Sequence, residues 1–307
     1  MSVLDGVVRA GLPLVPRRLL WTVARRYVAG DRLSDALTAV ARLRGEGFGT
    51  ILDVLGEGVA SVAQAQAAAA EYQRALAALP AVDPGCVVSV KPTHLGLLLD
   101  TVLCERLLSD LCTAAARQGR RVRLEMEDAP TVDATLAVFR GLRARHPNLG
   151  CVLQARLFRT EADARALLAE GPGLNVRLVK GIYLEPASIA WTAAPDIARS
   201  YVQLARLLLD GGAFVGLATH DGAMAADLDA FLRERGLDRG EPGARRYEYQ
   251  CLMGVRADFA RAQRDAGHAV RIYVPYGSDW HAYSLRRLRH NPQIARHVLR
   301  AMLRGEG

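Results

Sequence analysis

Lysine is almost missing from this chain: only Lys91 and Lys180 stand among 40 basic side chains in 307 residues. Arginine carries the positive charge elsewhere, so a lysine in this background marks a place for a compact ammonium. Long apolar runs are missing too, none approaching the roughly 20 residues of a bilayer span. At the N-terminus Asp5 and Gly6 precede the arginines, which is not the layout of a secretory leader. A cytoplasmic protein is expected. Cysteine is scarce, odd in number at five, and never arranged as C-x-x-C, which excludes a disulfide framework and a zinc knuckle. The seven histidines show no H-E-x-x-H spacing, so no metal is expected. Also lacking are a G-x-G-x-x-G turn and any nucleic-acid motif, although the net charge is +8. The arginines behind that charge are spread along the chain, and no nucleic-acid partner is expected. One basic cluster, Arg17 to Tyr27, reads as a packed helix with a basic outer face. Peripheral contact with the inner face of the cell membrane is the alternative for it.

What the chain does have is alternation. Residues 1–47 read as an N-terminal helical segment, with Ser34 as a cap and Gly45 and Gly47 as stops. From 48 to 307 short β-branched runs recur at 50–55, 87–90, 121–126, 151–154, 176–179, 214–219, 247–251 and 271–275. Helical stretches separate them at 59–79, 97–118, 132–145, 161–170, 189–210, 224–235 and 257–266. Repeated strand–helix units over this length predict an α/β fold, a (β/α)8 TIM-like barrel forming one domain with the helices before it. A doubly wound open sheet is the second choice.

Active sites of such barrels lie at the C-terminal strand ends. In order those ends offer Glu57, Lys91, Glu125 and Glu127, Gln154 and Arg156, Arg177 with Lys180 and Tyr183, Thr219 to Asp221, Glu248 and Gln250, and Tyr273. A purely structural barrel needs no such ring of polar groups. Beyond the last strand, Tyr283 precedes the adjacent Arg286 and Arg287, whose planar forks suit a carboxylate. Cations on several strands suggest two anionic or electron-rich ligands, a large cofactor and a small acid.

Six segments, in order, carry a resemblance: Ser89-Val90-Lys91, Arg177 to Tyr183, Ala218 to Asp221, Tyr247 to Gly254, Arg271 to Pro275, and Tyr283-x-x-Arg286-Arg287. Together they resemble proline dehydrogenase across roughly residues 50–295. The likeness is to the short monofunctional bacterial form, and to the corresponding domain of bifunctional proline utilisation A. It implies a distorted barrel whose final helix lies over the strand C-terminal ends. It also implies FAD, oxidation of L-proline to Δ1-pyrroline-5-carboxylate by hydride transfer to flavin N5, and electrons passed to a quinone. Pyrroline-5-carboxylate dehydrogenase would be the downstream partner. Since the amine must be neutral, the rate should rise with pH.

By the same resemblance Arg286, Arg287 and Lys91 pair with the substrate carboxylate, and Tyr273, Leu252, Tyr183 and Tyr283 wall the ring. Glu57 would pair with Arg286 and close the site. Arg177 would donate near flavin N5, and Gln154 would bond the ring edge. Lys180, Gly181, Thr219, His220, Glu248 and Gln250 would surround the rest of the cofactor. The chain departs from the pattern at Glu125, where relatives usually carry Asp, at His290, where they carry Glu, and at Leu184, aromatic in some. Two other readings are open: an aldolase-like Schiff base on Lys91 or Lys180, and a basic interaction module that is not an enzyme.

Overall fold

The computed structural model describes residues 17–290, apart from the side chains of 17–19, 23, 80 and 286–290. Eight strands close into a parallel barrel in sequence order: β1 (Gly49–Val54), β2 (Val87–Val90), β3 (Val122–Leu124), β4 (Leu149–Gln154), β5 (Asn175–Val179), β6 (Phe214–Ala218), β7 (Tyr247–Leu252) and β8 (Val270–Tyr276). The closure is made by β8, which pairs along the whole of β1 from Gly49–Arg271 to Val54–Tyr276. Helices α1 (Arg17–Ala24) and α2 (Leu33–Gly45) precede β1. Between strands lie α3 (Val62–Ala78), α4 (Thr101–Ala116), α5 (Val132–Arg143), α6 (Thr160–Ala169), α7 (Ala194–Asp210), α8 (Gly222–Glu234) and α9 (Ala257–Asp265), and α10 (Trp280–His290) follows β8.

Strands covered on both faces should read as continuous apolar runs, and the outward faces do. Leu108 of α4, Phe139 of α5, Leu204 of α7 and Leu228 of α8 are buried in one core with the strands. The inward faces are different. Arg123, Asn175, Arg177, Glu248 and Gln250 are all buried, and Arg271 reaches Glu248 across the β7–β8 pair. Two glycines make room for this lumen. A side chain at Gly150 would stand 2.7 Å from Arg123 Nη1, and one at Gly216 would collide with the Gln250 amide.

A second, smaller apolar cluster joins the two ends of the described chain. Leu20, Ala24 and Val28 pack with Leu55, beyond β1, and with Trp280 of α10. The Trp21 and Trp280 rings meet edge to face at 4.7 Å. The segment from Arg17 is therefore a packed helix, with Arg25 and Arg26 exposed just beyond it. Among the described residues no helix is long and apolar enough to cross a membrane.

Helix starts differ from the sequence reading where caps intervene. Helix α2 begins at Leu33, with Asp35 accepting the Arg32 N–H at 3.2 Å, so Ser34 lies inside it. Helix α4 waits for Asp100, whose carboxylate accepts the Val102 N–H at 2.8 Å. The apolar residues from Leu97 belong to the loop before it. Likewise α7 starts at Ala194, next to Pro195 in the first turn, and not at Ile189.

Candidate active site

The lumen end formed by the strand C-termini holds two ion pairs. Lys91 Nζ, just beyond β2, lies 3.4 Å from Asp53 of β1, whose carboxylate is fully buried. Arg177 of β5 pairs with Glu125, beyond β3. These strands are not neighbours, so this second pair crosses the barrel. Around it Arg177 Nε donates to Gln250 Oε1 at 2.7 Å, Arg177 Nη1 to Ser89 Oγ at 3.3 Å, and the Tyr273 hydroxyl to Glu125 Oε1 at 3.3 Å. Ser89 also donates to Glu125. The Arg177 guanidinium sits 5.1 Å from the Tyr273 ring centroid, within cation–π range. Below, Gln250 Nε2 donates to Glu248 at 2.7 Å, and Glu248 accepts from Arg271 at 2.8 Å.

Charge states follow from this packing. Burial pushes Asp53 up to about 6, against the pull of Lys91 and with the repulsion of Glu125. Burial would also raise Glu125, but the charge of Arg177 and hydrogen bonds from Ser89 and Arg177 outweigh it and hold the carboxyl below its ordinary value. Lys91 would be lowered by burial, yet Asp53, Glu125, Glu57 and Glu127 together hold it above the usual lysine value. Held toward its charged form, Lys91 suits an anionic ligand better than a Schiff base, which needs the free amine. Burial raises the Tyr273 hydroxyl far up, so it stays a donor.

Three buried polar atoms at this end have no partner among the described residues: Arg177 Nη2, Gln154 Oε1 and Arg156 Nε. Buried polar groups are normally satisfied, so each needs a reason. Arg177 and Gln154 lie on adjacent strands β5 and β4 and offer one donor and one acceptor. Gly181 keeps that place open, since a side chain there would come within 2.8 Å of Gln154 Oε1 and 3.2 Å of Arg156. The positive φ of Gly181, 96°, also favours glycine. A planar group with its own donors and acceptors fits. Among the described residues no group of three or more His, Cys, Asp or Glu could hold a metal ion.

The remaining sequence candidates take these places. Lys180 pairs with Asp221 at 3.0 Å, and Asp221 caps α8. Buried Thr219 accepts the Asp221 N–H at 3.1 Å, and His220 Nε2 accepts the Leu252 N–H at 3.0 Å. Tyr183 is half-buried, and its carbonyl accepts from Arg156. Leu252, Glu57 and Tyr283 are half-buried near the rim, whereas Leu184 is exposed. Glu248 lies one layer down and meets the rim only through Gln250. Arg286, Arg287 and His290 belong to α10, but their side chains lie outside the described residues, and so does the pairing expected between Glu57 and Arg286. Within the protein Lys91 takes Asp53, and the acid at 125 takes Arg177. Asp53 was missed by sequence reasoning, although an acid inside Ile51-Leu52-Asp53-Val54-Leu55 is itself a signal, because a buried carboxylate is costly unless paired.

Fold and rim together define a barrel enzyme whose charged mouth can take a planar cofactor and a small anion. The family model described as proline dehydrogenase matches residues 36–300. A proline dehydrogenase of Deinococcus radiodurans is 33% identical over 99% of this chain and 97% of its own length. Proline dehydrogenase 1 of Bacillus subtilis is 34% identical over 92% and 91% respectively. The chain belongs to the proline dehydrogenase family and is an oxidoreductase. Among solved structures, proline utilization A from Bdellovibrio bacteriovorus superposes with a TM-score of 0.79 at 22% identity, covering 87% of this chain and 32% of that one. The fold is thus shared with a domain of a much longer protein.

Proposed function

We propose that the chain oxidises L-proline to Δ1-pyrroline-5-carboxylate in proline catabolism, with FAD as cofactor and a quinone as the final electron acceptor. The observation that carries the cofactor reading is the pair of buried atoms without a partner among the described residues, Arg177 Nη2 and Gln154 Oε1, on adjacent strands beside Gly181. They complement the mixed donor and acceptor edge of an isoalloxazine. When bound, FAD supplies a two-electron hydride acceptor at its N5.

The chain supplies placement and electrostatics. Arg177 would stand next to the accepting edge and favour negative charge there. Lys91, held as an ammonium, would attract the substrate carboxylate together with Arg286 and Arg287. Tyr273, Leu252, Tyr183 and Tyr283 would wall the ring against water. Lys180, Thr219, His220 and Gln250 would flank the remainder of the cofactor, with Glu248 supporting Gln250 from below. We further propose a cytoplasmic protein that meets the membrane surface only peripherally, through its quinone.

The test is an absorption spectrum of the purified protein before and after anaerobic L-proline. A flavin spectrum that bleaches supports cofactor and substrate together. A flavin that stays oxidised overturns the substrate, and a colourless protein that takes up no added FAD overturns the cofactor. In turnover, Arg286→Met and Arg287→Met should each raise KM for proline by about two orders of magnitude.

A further inference from the structure

We propose that Thr93 is a positioning residue for substrate binding, clasping the loop that carries Glu57 to the turn that follows Lys91. The proposal rests on the proline-oxidising reading above. The loop after β1 has no strand to hold it, yet it is fastened at two successive residues. Gly58 N donates to Thr93 Oγ1 at 3.0 Å, and Val59 N donates to the Thr93 carbonyl at 3.4 Å. Thr93 is itself fixed from the other side by Glu127, beyond β3. Its hydroxyl donates to Glu127 Oε1 at 2.7 Å, and its N–H to Glu127 Oε2 at 3.0 Å. Both residues are buried.

One hydroxyl therefore accepts from the Glu57 loop and donates to an acid held by the scaffold. Only serine or threonine performs both roles at this size. The next residue reinforces the clasp. The His94 ring occupies the space any side chain at Gly56 would need, and its Nδ1 lies 3.4 Å from the Tyr72 hydroxyl. The turn leads straight back to the site, since His94 N donates to the Lys91 carbonyl at 3.1 Å. Glu57 and Lys91 are thus held on two segments whose separation is set by Thr93. The charge of Glu57 is among those felt at Lys91.

The experiment uses the full chain with its flavin loaded, comparing wild type, Thr93→Val and Thr93→Ser. It measures kcat and KM for L-proline, and Ki for a saturated five-membered ring carboxylate that lacks the nitrogen. Thr93→Val keeps the shape and removes both hydroxyl bonds. It should raise KM and Ki together by about tenfold while kcat stays within about twofold. Thr93→Ser should restore all three to within about twofold of wild type. A folded Thr93→Val protein with unchanged KM and Ki, or one that loses kcat alone, overturns the proposal. So does a Thr93→Ser variant as weak as the valine one. Should the valine variant not fold, Thr93→Ala is read by the same criteria. A flavin-loaded wild-type protein that stays oxidised with anaerobic L-proline would instead overturn the underlying function, a readout separate from the KM and Ki of the variants.

Discussion

Two interiors share one sheet. Outside the barrel, strands and helices enclose leucine, alanine, valine and the five cysteines, all of them free and buried. Inside it, the same strands turn acids and bases toward one another, from Arg271–Glu248 below to Arg177–Glu125 and Lys91–Asp53 above. The outer interior is held by area removed from water and by close packing. Its parts are interchangeable within limits of volume. The lumen is held by pairing, and each member is costly if its partner is lost. The shell makes the fold, whereas the lumen fixes the charge and direction of a few side chains.

The largest expected effect comes from breaking a lumen pair. Arg177→Met leaves Glu125 buried without its partner and should cost about 3–5 kcal/mol of stability. It should also lower kcat for proline by more than about a hundredfold. Thermal unfolding and turnover check both. Full activity would show that Arg177 serves the fold alone. In the shell, Leu204→Ala should cost about 2–5 kcal/mol and leave KM for proline unchanged. A marked change in KM would deny the separation of the two regions.

A smaller effect is a slope with pH. Asp53 keeps its proton up to about 6 in the folded chain, against 3.8 for an ordinary aspartate. The folded state then binds more protons in that interval. This group's contribution to stability is full below the lower value and is lost as pH rises through the higher one. Asp53→Asn removes the titration, so its melting temperature should vary less between about pH 4 and 6.5 than that of the wild type. Equal slopes would mean that Asp53 titrates normally. The smallest effect is a silence. Burial pushes Cys104, Cys112, Cys151 and Cys251 up to about 12 and Cys86 to about 11. A thiol reagent at neutral pH should therefore label no cysteine of the native protein on the timescale of turnover, and prompt labelling would expose a gap in the shell.

The shell was the legible part. Its strands are marked by β-branched runs, and all eight fall within a few residues of their expected places because apolar periodicity records burial directly. The rim was legible as residue types at strand ends, which placed Lys91, Arg177, Gln154 and Tyr273 at one mouth. Partnerships were not. Asp53 sits within a strand, so looking only at strand ends passed over it. That Glu125 would cross to Arg177 depends on barrel diameter and side-chain length, which no spacing encodes. The loop before α4 was misread because Leu97, Leu98 and Leu99 continue the apolar pattern, while the true boundary is set by one hydrogen bond to Asp100.

The contact between Trp21 and Trp280 bears on the order in which the molecule is made. Helix α1 is synthesised long before Trp280, part of the surface it packs on. The same delay governs β1, whose pairing along β8 closes the ring. Contacts this distant in sequence form late and slowly. The mouth of this barrel is closed by two segments that lie far apart in the sequence, β1 and β8.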